Sequence, residues 1–140
     1  MNENLQSAAD IEACRSLVLS YCVNSDFGLN FKAAECFEQN GELLLAGKLF
    51  RGRTAIRTRL DERPAGQISR HFCSCPFIEL AGTDLARGVT YVQLYRSEGS
   101  YPGPVSLPLV AGYYRDEFSR SEGRWLLRFR ELTWDFATLP

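Results

Sequence analysis

The stretch GYYRDEFSRSEGRWLLRFREL, residues 112–132, alternates apolar and charged side chains on both sides of a polar turn. In its first half Tyr114, Asp116 and Phe118 share one face, because successive side chains of a strand point to opposite faces. The run SRSEGR, residues 119–124, carries the glycine typical of a tight turn. A second extended segment then opens with Trp125. The stretch therefore predicts two long antiparallel strands joined as a hairpin.

The whole C-terminal half of the chain has this extended pattern. Turn signals such as AGTD and SEGSYPGP divide it into four predicted strands, at residues 67–81, 84–97, 105–120 and 124–136. Strands of this length twist and curl, and a curled sheet closed on one side by helices forms a cone with a natural pocket.

The N-terminal half has the period of helices instead. Apolar positions from Ile11 to Cys22 recur at three- and four-residue spacing, which predicts a first helix. Asn30 is the expected N-cap of a short second helix that carries Phe37, and residues 53–63 fit a third. Between them the NGE turn leads into a short strand, ELLLAG. Helices followed by strands predict an α+β domain, with the helices on one face of a mainly antiparallel sheet.

One predicted strand is apolar on both faces. In HFCSCPFIEL, residues 71–80, aromatic and aliphatic side chains occupy odd and even positions alike. In a sheet with one face exposed to solvent, apolar and polar side chains should alternate more regularly along the strand. We therefore expect a second copy of the chain to cover the outer face, as a homodimer or alternatively a homotrimer.

Composition excludes several kinds of partner. The net charge is −1 and no basic stripe is present, so nucleic acid is not expected as a partner. The N-terminal residues contain no apolar run of the kind found in signal peptides or membrane spans, which predicts no membrane association and a cytoplasmic protein. Five cysteines with a single histidine do not form a zinc-binding pattern, so we expect no metal.

Three motifs in this order resemble the SnoaL-like branch of the NTF2-like superfamily, which includes scytalone dehydratase and related lyases and isomerases. They are YCVNSD at residues 21–26, RHFCSCPFIEL at residues 70–80, and the hairpin stretch at residues 112–132. The resemblance covers about residues 8–136. It implies one SnoaL-like domain over residues 1–140, an NTF2-like cone, no cofactor, and a small hydrophobic or aromatic ligand.

The resemblance also implies roles for particular residues. Asp26 and His71 match the Asp–His pair with which dehydratase and dehydrohalogenase members remove a proton from carbon. Asp116 falls where other members keep an acid or hydrogen-bond donor, and Tyr21 resembles a helix tyrosine that polarises an oxygen. The chain departs from the family in three ways: LLLAGK contains no carboxylate, there is no second histidine, and Cys75 stands where asparagine is common.

Each of these residues also has a purely structural interpretation. His71 fits a half-buried core histidine, and Asp26 fits a cap of the second helix. Asp116 fits a salt bridge to Arg128 or Arg130 on the next strand. The side chains expected to line the cone pocket are Phe50, Cys75, Tyr91, Tyr114 and Trp134.

Three functions remain open on the sequence alone. The first is a small lyase or isomerase in which an Asp26–His71 pair takes a proton from carbon of a mostly apolar cyclic substrate. The second is a protein that binds a small molecule without catalysis. The third is an interaction subunit resembling the beta subunits of ring-hydroxylating dioxygenases.

Overall fold

The computed structural model describes residues 2–98, 102 and 110–138, and within them three helices lie against one curved sheet. The helices are α1 (Glu3–Asp26), α2 (Asn30–Glu35) and α3 (Arg53–Asp61). The strands are β1 (Phe37–Leu45), β2 (Lys48–Arg51), β3 (Gln67–Cys73), β4 (Phe77–Leu80), β5 (Leu85–Glu98), β6 (Val110–Ser121) and β7 (Arg124–Ala137). None of the described helices is long and apolar enough to cross a membrane.

The sheet runs in the order β2-β1-β7-β6-β5-β3, with β4 also pairing with β5. Every pairing is antiparallel except that of β1 with β7. The α+β class and the mainly antiparallel sheet predicted from the sequence are therefore confirmed.

The β6–β7 hairpin is bent at two bulges, between Ala111 and Gly112 and between Glu117 and Phe118. A bulge bends its strand and increases the local twist. At the first bulge only glycine fits, because a Cβ on Gly112 would overlap the backbone oxygen of Thr133. These bends help to curve the sheet around its inner face.

Helix α1 covers that inner face. Its buried side chains include Cys14, Val18, Tyr21 and Cys22, and they pack into one core with Phe118 and other inward strand residues. A polar contact ties the same helix to the hairpin: buried Asp10 accepts hydrogen bonds from Trp125 Nε1 at 3.0 Å and Arg120 Nη1 at 2.7 Å. The helix is thus fixed over the strands that carry the candidate site.

Several predicted boundaries were wrong. Helix α1 starts at Glu3 rather than Ile11, because the Asn2 side chain caps it through the backbone N–H of Asn4 at 2.7 Å. Asn30 is the first residue of α2, whose N-cap is Leu29. Phe37 begins β1 instead of ending α2, because Cys36 O accepts a hydrogen bond from Leu127 N and the chain joins β7 there.

The predicted strand at residues 67–81 is two strands. Pro76 lacks the backbone N–H that a ladder needs, and the chain between β3 and β4 is held instead by Ser74 N, which donates to Tyr91 O at 3.0 Å. The predicted start of another strand at residue 105 lies outside the described residues, as does most of the SEGSYPGP turn.

Candidate functional site

A histidine and an aspartate from two different elements meet on the concave side of the sheet. His71 lies on β3 and faces inward, because its partner on β5 is the buried Leu94. Asp26 is the last residue of α1. His71 Nδ1 lies 2.6 Å from Asp26 Oδ1, and the two side chains are 9% and 6% exposed. The structure therefore brings together the two residues that the sequence motifs paired.

Asp26 is held by three groups of β3. Its carboxylate accepts hydrogen bonds from the Ser69 hydroxyl at 3.0 Å and from the His71 backbone N–H at 2.8 Å, besides the contact with the ring. Burial raises the pKa of this carboxyl, but the hydrogen bonds and charge of His71 outweigh burial and the pKa lies below its ordinary value. Asp26 does not cap α2, whose N-cap makes no side-chain hydrogen bond.

The ring of His71 stacks against Tyr114 of β6, with centroids 6.5 Å apart and planes 28° apart. No described residue hydrogen-bonds its second nitrogen, Nε2. The ring is thus held by Asp26 on one side and by an aromatic face on the other, with one nitrogen left for a further partner.

Behind Tyr114 lies a fully buried ion pair between Asp116 and Arg130. Both side chains are 0% exposed, and the guanidinium binds both carboxylate oxygens, at 2.7 Å from Nε and 2.9 Å from Nη2. Burial alone would lower the pKa of Arg130, but the charge of Asp116 raises it above its ordinary value. The salt bridge that the sequence offered as the structural alternative for Asp116 is therefore present, and Arg130 is its partner.

Arg130 also contacts two tyrosines of the site. Its guanidinium carbon lies 4.0 Å from the centroid of the Tyr114 ring and 4.7 Å from that of Tyr21. Its Nη1 is buried and has no hydrogen-bond partner among the described residues. Because this nitrogen has no accessible surface, Arg130 acts on the site through its charge and through its contacts with the two tyrosines.

Tyr21 and Tyr114 are buried beside this cation. Burial raises the pKa of the Tyr21 hydroxyl to about 12 and that of Tyr114 well above its ordinary value. Both phenols therefore keep their protons over the neutral range and can act as hydrogen-bond donors.

Two of the five expected pocket residues lie outside the cone. Tyr91 pairs with Tyr113 on the outer face, because its neighbours Thr90 and Val92 point inward, and it is 67% exposed. Cys75 is exposed in the link between β3 and β4. Their assignment to the pocket was wrong, since Tyr91 was placed on the wrong face and the break at Pro76 was missed.

The other three expected residues face inward. Tyr114 lies at the centre of the site, beside His71. Trp134 pairs with Gly112 on the same face and is 49% exposed. Phe50 packs against the core from β2, at the far edge of the sheet from β3.

A cleft of about 350 Å³ borders Asp26. Phe27, Arg63, Gln67 and Arg70 line it, and none of the inward-facing strand residues described above does. Arg70 lies over the Phe27 ring, and Arg63 donates to the Ser25 backbone oxygen at 2.7 Å. The cleft therefore adjoins the Asp26 end of the pair, and Gln67 of its lining shares the inward face of β3 with Ser69 and His71.

Sequence reasoning missed three features of the site: Ser69, the free N–H of Arg130, and a contact between Cys22 and Cys73. Ser69 could have been found, since it precedes His71 by two residues and must share its face. The cysteine contact joins a helix and a strand at positions 51 residues apart, and no local sequence pattern predicts it. Among the described residues no three His, Cys, Asp or Glu side chains cluster as a metal would require.

The hydrogen bonds to Asp26 predict a pH-dependent contribution to stability. A carboxyl whose pKa is lowered in the folded state stabilises the fold above its unfolded value of 3.8, and this contribution is lost as the pH falls through the lower folded value. The wild type should therefore lose more of its free energy of unfolding than Asp26→Asn between about pH 5 and pH 2.

Urea unfolding of both proteins at a series of pH values measures the difference. All other carboxyls titrate in both proteins, so they cancel in the comparison. A difference between the two free energies that stays constant over this range would contradict the expectation.

Comparison with known proteins shows the same architecture elsewhere. A family model described as a SnoaL-like domain matches residues 6–131. An NTF2-like protein with a cystatin-like fold from Novosphingobium aromaticivorans has 23% sequence identity and a TM-score of 0.81, over 96% of this chain and 88% of its own. No curated protein matches the sequence.

Two further solved structures carry names that describe a reaction. A Novosphingobium aromaticivorans protein provisionally named a scytalone dehydratase has 18% identity and a TM-score of 0.84, over 96% of this chain and 90% of its own. A hexachlorocyclohexane dehydrochlorinase from Novosphingobium barchaimii has 17% identity and a TM-score of 0.84, over 97% and 93%. At these identities the likeness concerns the fold.

Proposed function

Because the chain belongs to the SnoaL-like domain family, as its motifs indicated, we propose that it is a cofactor-independent lyase or isomerase. In this proposal His71 removes a proton from carbon of a small, mostly apolar cyclic substrate. The single observation that carries the proposal is the 2.6 Å contact between His71 Nδ1 and Asp26 Oδ1. A neighbouring carboxylate is the usual means of orienting a histidine base.

The proton positions follow from the donors around Asp26, whose carboxylate accepts from the Ser69 hydroxyl and the His71 backbone N–H. An ionised carboxylate only accepts hydrogen bonds, so Nδ1 of His71 must carry the proton between the two groups. In the neutral ring Nε2 is then the basic nitrogen. Asp26 also stabilises the imidazolium that forms when Nε2 takes a proton.

Arg130 is the proposed stabiliser of negative charge. As the substrate C–H bond breaks, its electron pair forms a new carbon–carbon double bond. Either a leaving group then departs with its own bonding pair, or the π pair of an adjacent carbonyl moves onto the carbonyl oxygen. The protonated hydroxyls of Tyr21 and Tyr114 are donors suited to either case, and the positive charge of Arg130 beside both rings favours the developing negative charge. Asp116 then acts as a positioning residue that fixes Arg130, and not as the acid or hydrogen-bond donor that the family resemblance implied.

The substrate class follows from the walls of the site. His71, Tyr114 and Trp134 present flat rings on the concave side, and Leu94 and Leu132 add aliphatic surface. Such walls favour a ring-shaped apolar molecule with few polar groups. The named relatives suggest elimination of halide or water as the reactions to try first.

A panel assay tests this proposal. Purified protein is incubated with chlorinated cyclohexanes, cyclic β-hydroxy ketones and cyclic enones, and chloride release, loss of water and exchange of carbon-bound hydrogen in D₂O are measured. At least one class should react with the wild type and not with His71→Ala. Tight binding of these molecules with no turnover or exchange would contradict the proposal and favour the non-catalytic binding function.

We also propose that the protein forms a homodimer through the outer face of the sheet. Phe72, Tyr91 and Phe136 are exposed large apolar side chains of β3, β5 and β7, and the first two lie on that face. A stable interface usually buries about 800 Å² on each partner.

The expected sedimentation result is a dimer at micromolar concentration that Tyr91→Asp converts to monomer. Leu5→Asp is the matched control, because Leu5 is similarly exposed but lies on α1. A wild-type monomer would contradict the proposal. A trimer would contradict the dimer but not the assembly of the chain into an oligomer.

We propose a reducing compartment such as the cytoplasm as its location. The five cysteines are all free, and two of them lie in sulfur contact without being bonded. Reduced thiols are usual where glutathione and thioredoxin are active.

A further inference from the structure

Two thiols face each other next to the His71–Asp26 pair and have no part in the proposed reaction. Cys22 of α1 and Cys73 of β3 have their sulfur atoms 3.7 Å apart. Cys73 lies two residues beyond His71 on the same inward face, opposite Val92. The other three cysteines make no such contact among the described residues.

The pair lies within the electrostatic reach of the site. The charge of His71 acts on the Cys22 thiol, and those of Asp26 and Asp116 act on the Cys73 thiol. Any covalent change at these sulfurs therefore takes place within the electric field of both ion pairs.

The two sulfurs differ in accessibility and in acidity. Cys22 is 3% exposed, whereas Cys73 is only partly buried. The contact between the two sulfurs lowers the pKa of the Cys73 thiol and raises the pKa of the Cys22 thiol. The more accessible sulfur is thus also the one that ionises more readily, which is the combination typical of oxidant-sensitive thiols.

Each of the remaining cysteines lacks either an easily ionised thiol or a neighbouring thiol. Burial raises the pKa of Cys14 to about 12 and that of Cys36 to about 11, so both stay protonated. Cys75 is exposed but has no thiol partner among the described residues. They serve as internal references for the behaviour of the pair.

We propose that Cys22 and Cys73 form a reversible disulfide when the protein meets a peroxide, with Cys73 as the attacking thiol and Cys22 as the resolving thiol. The sulfurs must approach from 3.7 Å to about 2 Å, a change within the range of side-chain rotation. The bond joins α1 to β3 beside the base. This inference does not depend on the proposed lyase activity.

The chemistry balances in two steps. The Cys73 thiolate attacks the peroxide, a sulfur–oxygen bond forms, the oxygen–oxygen bond breaks, and an alcohol or water leaves with the thiol proton. Cys22 then attacks the Cys73 sulfur, the sulfur–sulfur bond forms, the sulfur–oxygen bond breaks, and water leaves. In total the two thiols lose two electrons and two protons, and the peroxide is reduced. A dithiol then reduces the disulfide by thiol–disulfide exchange, which restores both thiols while the dithiol becomes a cyclic disulfide.

Peroxide treatment of the full chain tests the inference. Counted in denaturant, the thiols of the wild type should fall from five to three, and the intact mass should drop by two hydrogen atoms. Digestion should yield a linked pair of peptides that contain Cys22 and Cys73. Dithiothreitol should restore five thiols. Cys75→Ser, which removes the exposed thiol and keeps the pair, should form the same link.

Two variants separate the roles of the sulfurs. Cys73→Ser should form no intramolecular link. Cys22→Ala, which should be tolerated as a small buried side chain, should stop at a Cys73 sulfenic acid that dimedone labels. Oxidation confined to Cys75, a link between other cysteines, or a Cys22–Cys73 link that resists dithiothreitol would overturn the proposal.

Discussion

Turnover by the His71→Ala variant should be about 10²–10⁴-fold lower than that of the wild type, with the fold intact. The substitution removes Nε2, the nitrogen that we propose takes the proton. The Asp26 carboxylate keeps its hydrogen bonds from the Ser69 hydroxyl and from the backbone N–H at position 71. The measurement is kcat on the substrate class identified by the panel, with circular dichroism to verify folding.

His71→Asn is the matched control for this result. Its side-chain amide can occupy the place of Nδ1 and donate to Asp26, but it has no basic nitrogen in the place of Nε2. The variant should be about as inactive as His71→Ala while its stability remains closer to that of the wild type. Retention of more than about a tenth of the turnover by His71→Asn would contradict a role for His71 as general base.

Asp116→Ala should have the largest effect on stability, a loss of about 3–5 kcal/mol in the free energy of unfolding. Asp116 and Arg130 are both 0% exposed, so removing the carboxylate leaves a buried cation without its counter-charge. Urea unfolding monitored by tryptophan fluorescence measures the loss. Replacing both partners, as in Asp116→Leu with Arg130→Met, should cost less than Asp116→Ala alone, because no unpaired charge remains.

The surface ion pair of Glu42 with Arg51 provides the control. These side chains also meet at 2.9 Å but are 29% and 72% exposed. Solvent screens such a pair, and Glu42→Ala should cost at most about 1 kcal/mol. Equal losses for Asp116→Ala and Glu42→Ala would contradict the account of the buried pair.

The sequence was most informative where the pattern is local. The β6–β7 hairpin follows from alternation around a glycine turn, and the facing of Tyr114 and Asp116 follows from the same period. Where a single residue breaks the pattern, prediction failed. Pro76 divides a segment whose hydrophobic pattern predicts one continuous strand. The parallel pairing of β1 with β7 places Phe37 and the NGE residues in a strand, where the sequence predicted a helix end and a turn.

The candidate site was harder to infer because its contacts are long-range. The pairing of Asp26 with His71 came from a family resemblance, since nothing in spacing alone brings the end of a helix to a strand 45 residues later. Tyr91 was assigned to the wrong face of β5. Apolar residues occupy both faces of this strand, so the alternation of side chains does not show which face is concave. The free Nη1 of Arg130 depends on side-chain geometry that no sequence pattern encodes.

The most direct test of the central claim is the protonation of the His71 ring, observed by ¹⁵N NMR. The chain contains one histidine, so its ring nitrogens need no assignment by mutation. In the neutral ring we expect a proton on Nδ1, held in the hydrogen bond to Asp26, and none on Nε2, and we expect this preference to weaken or reverse in Asp26→Asn. A neutral ring protonated at Nε2 in the wild type would contradict the account, because Nε2 could not then accept a proton from the substrate.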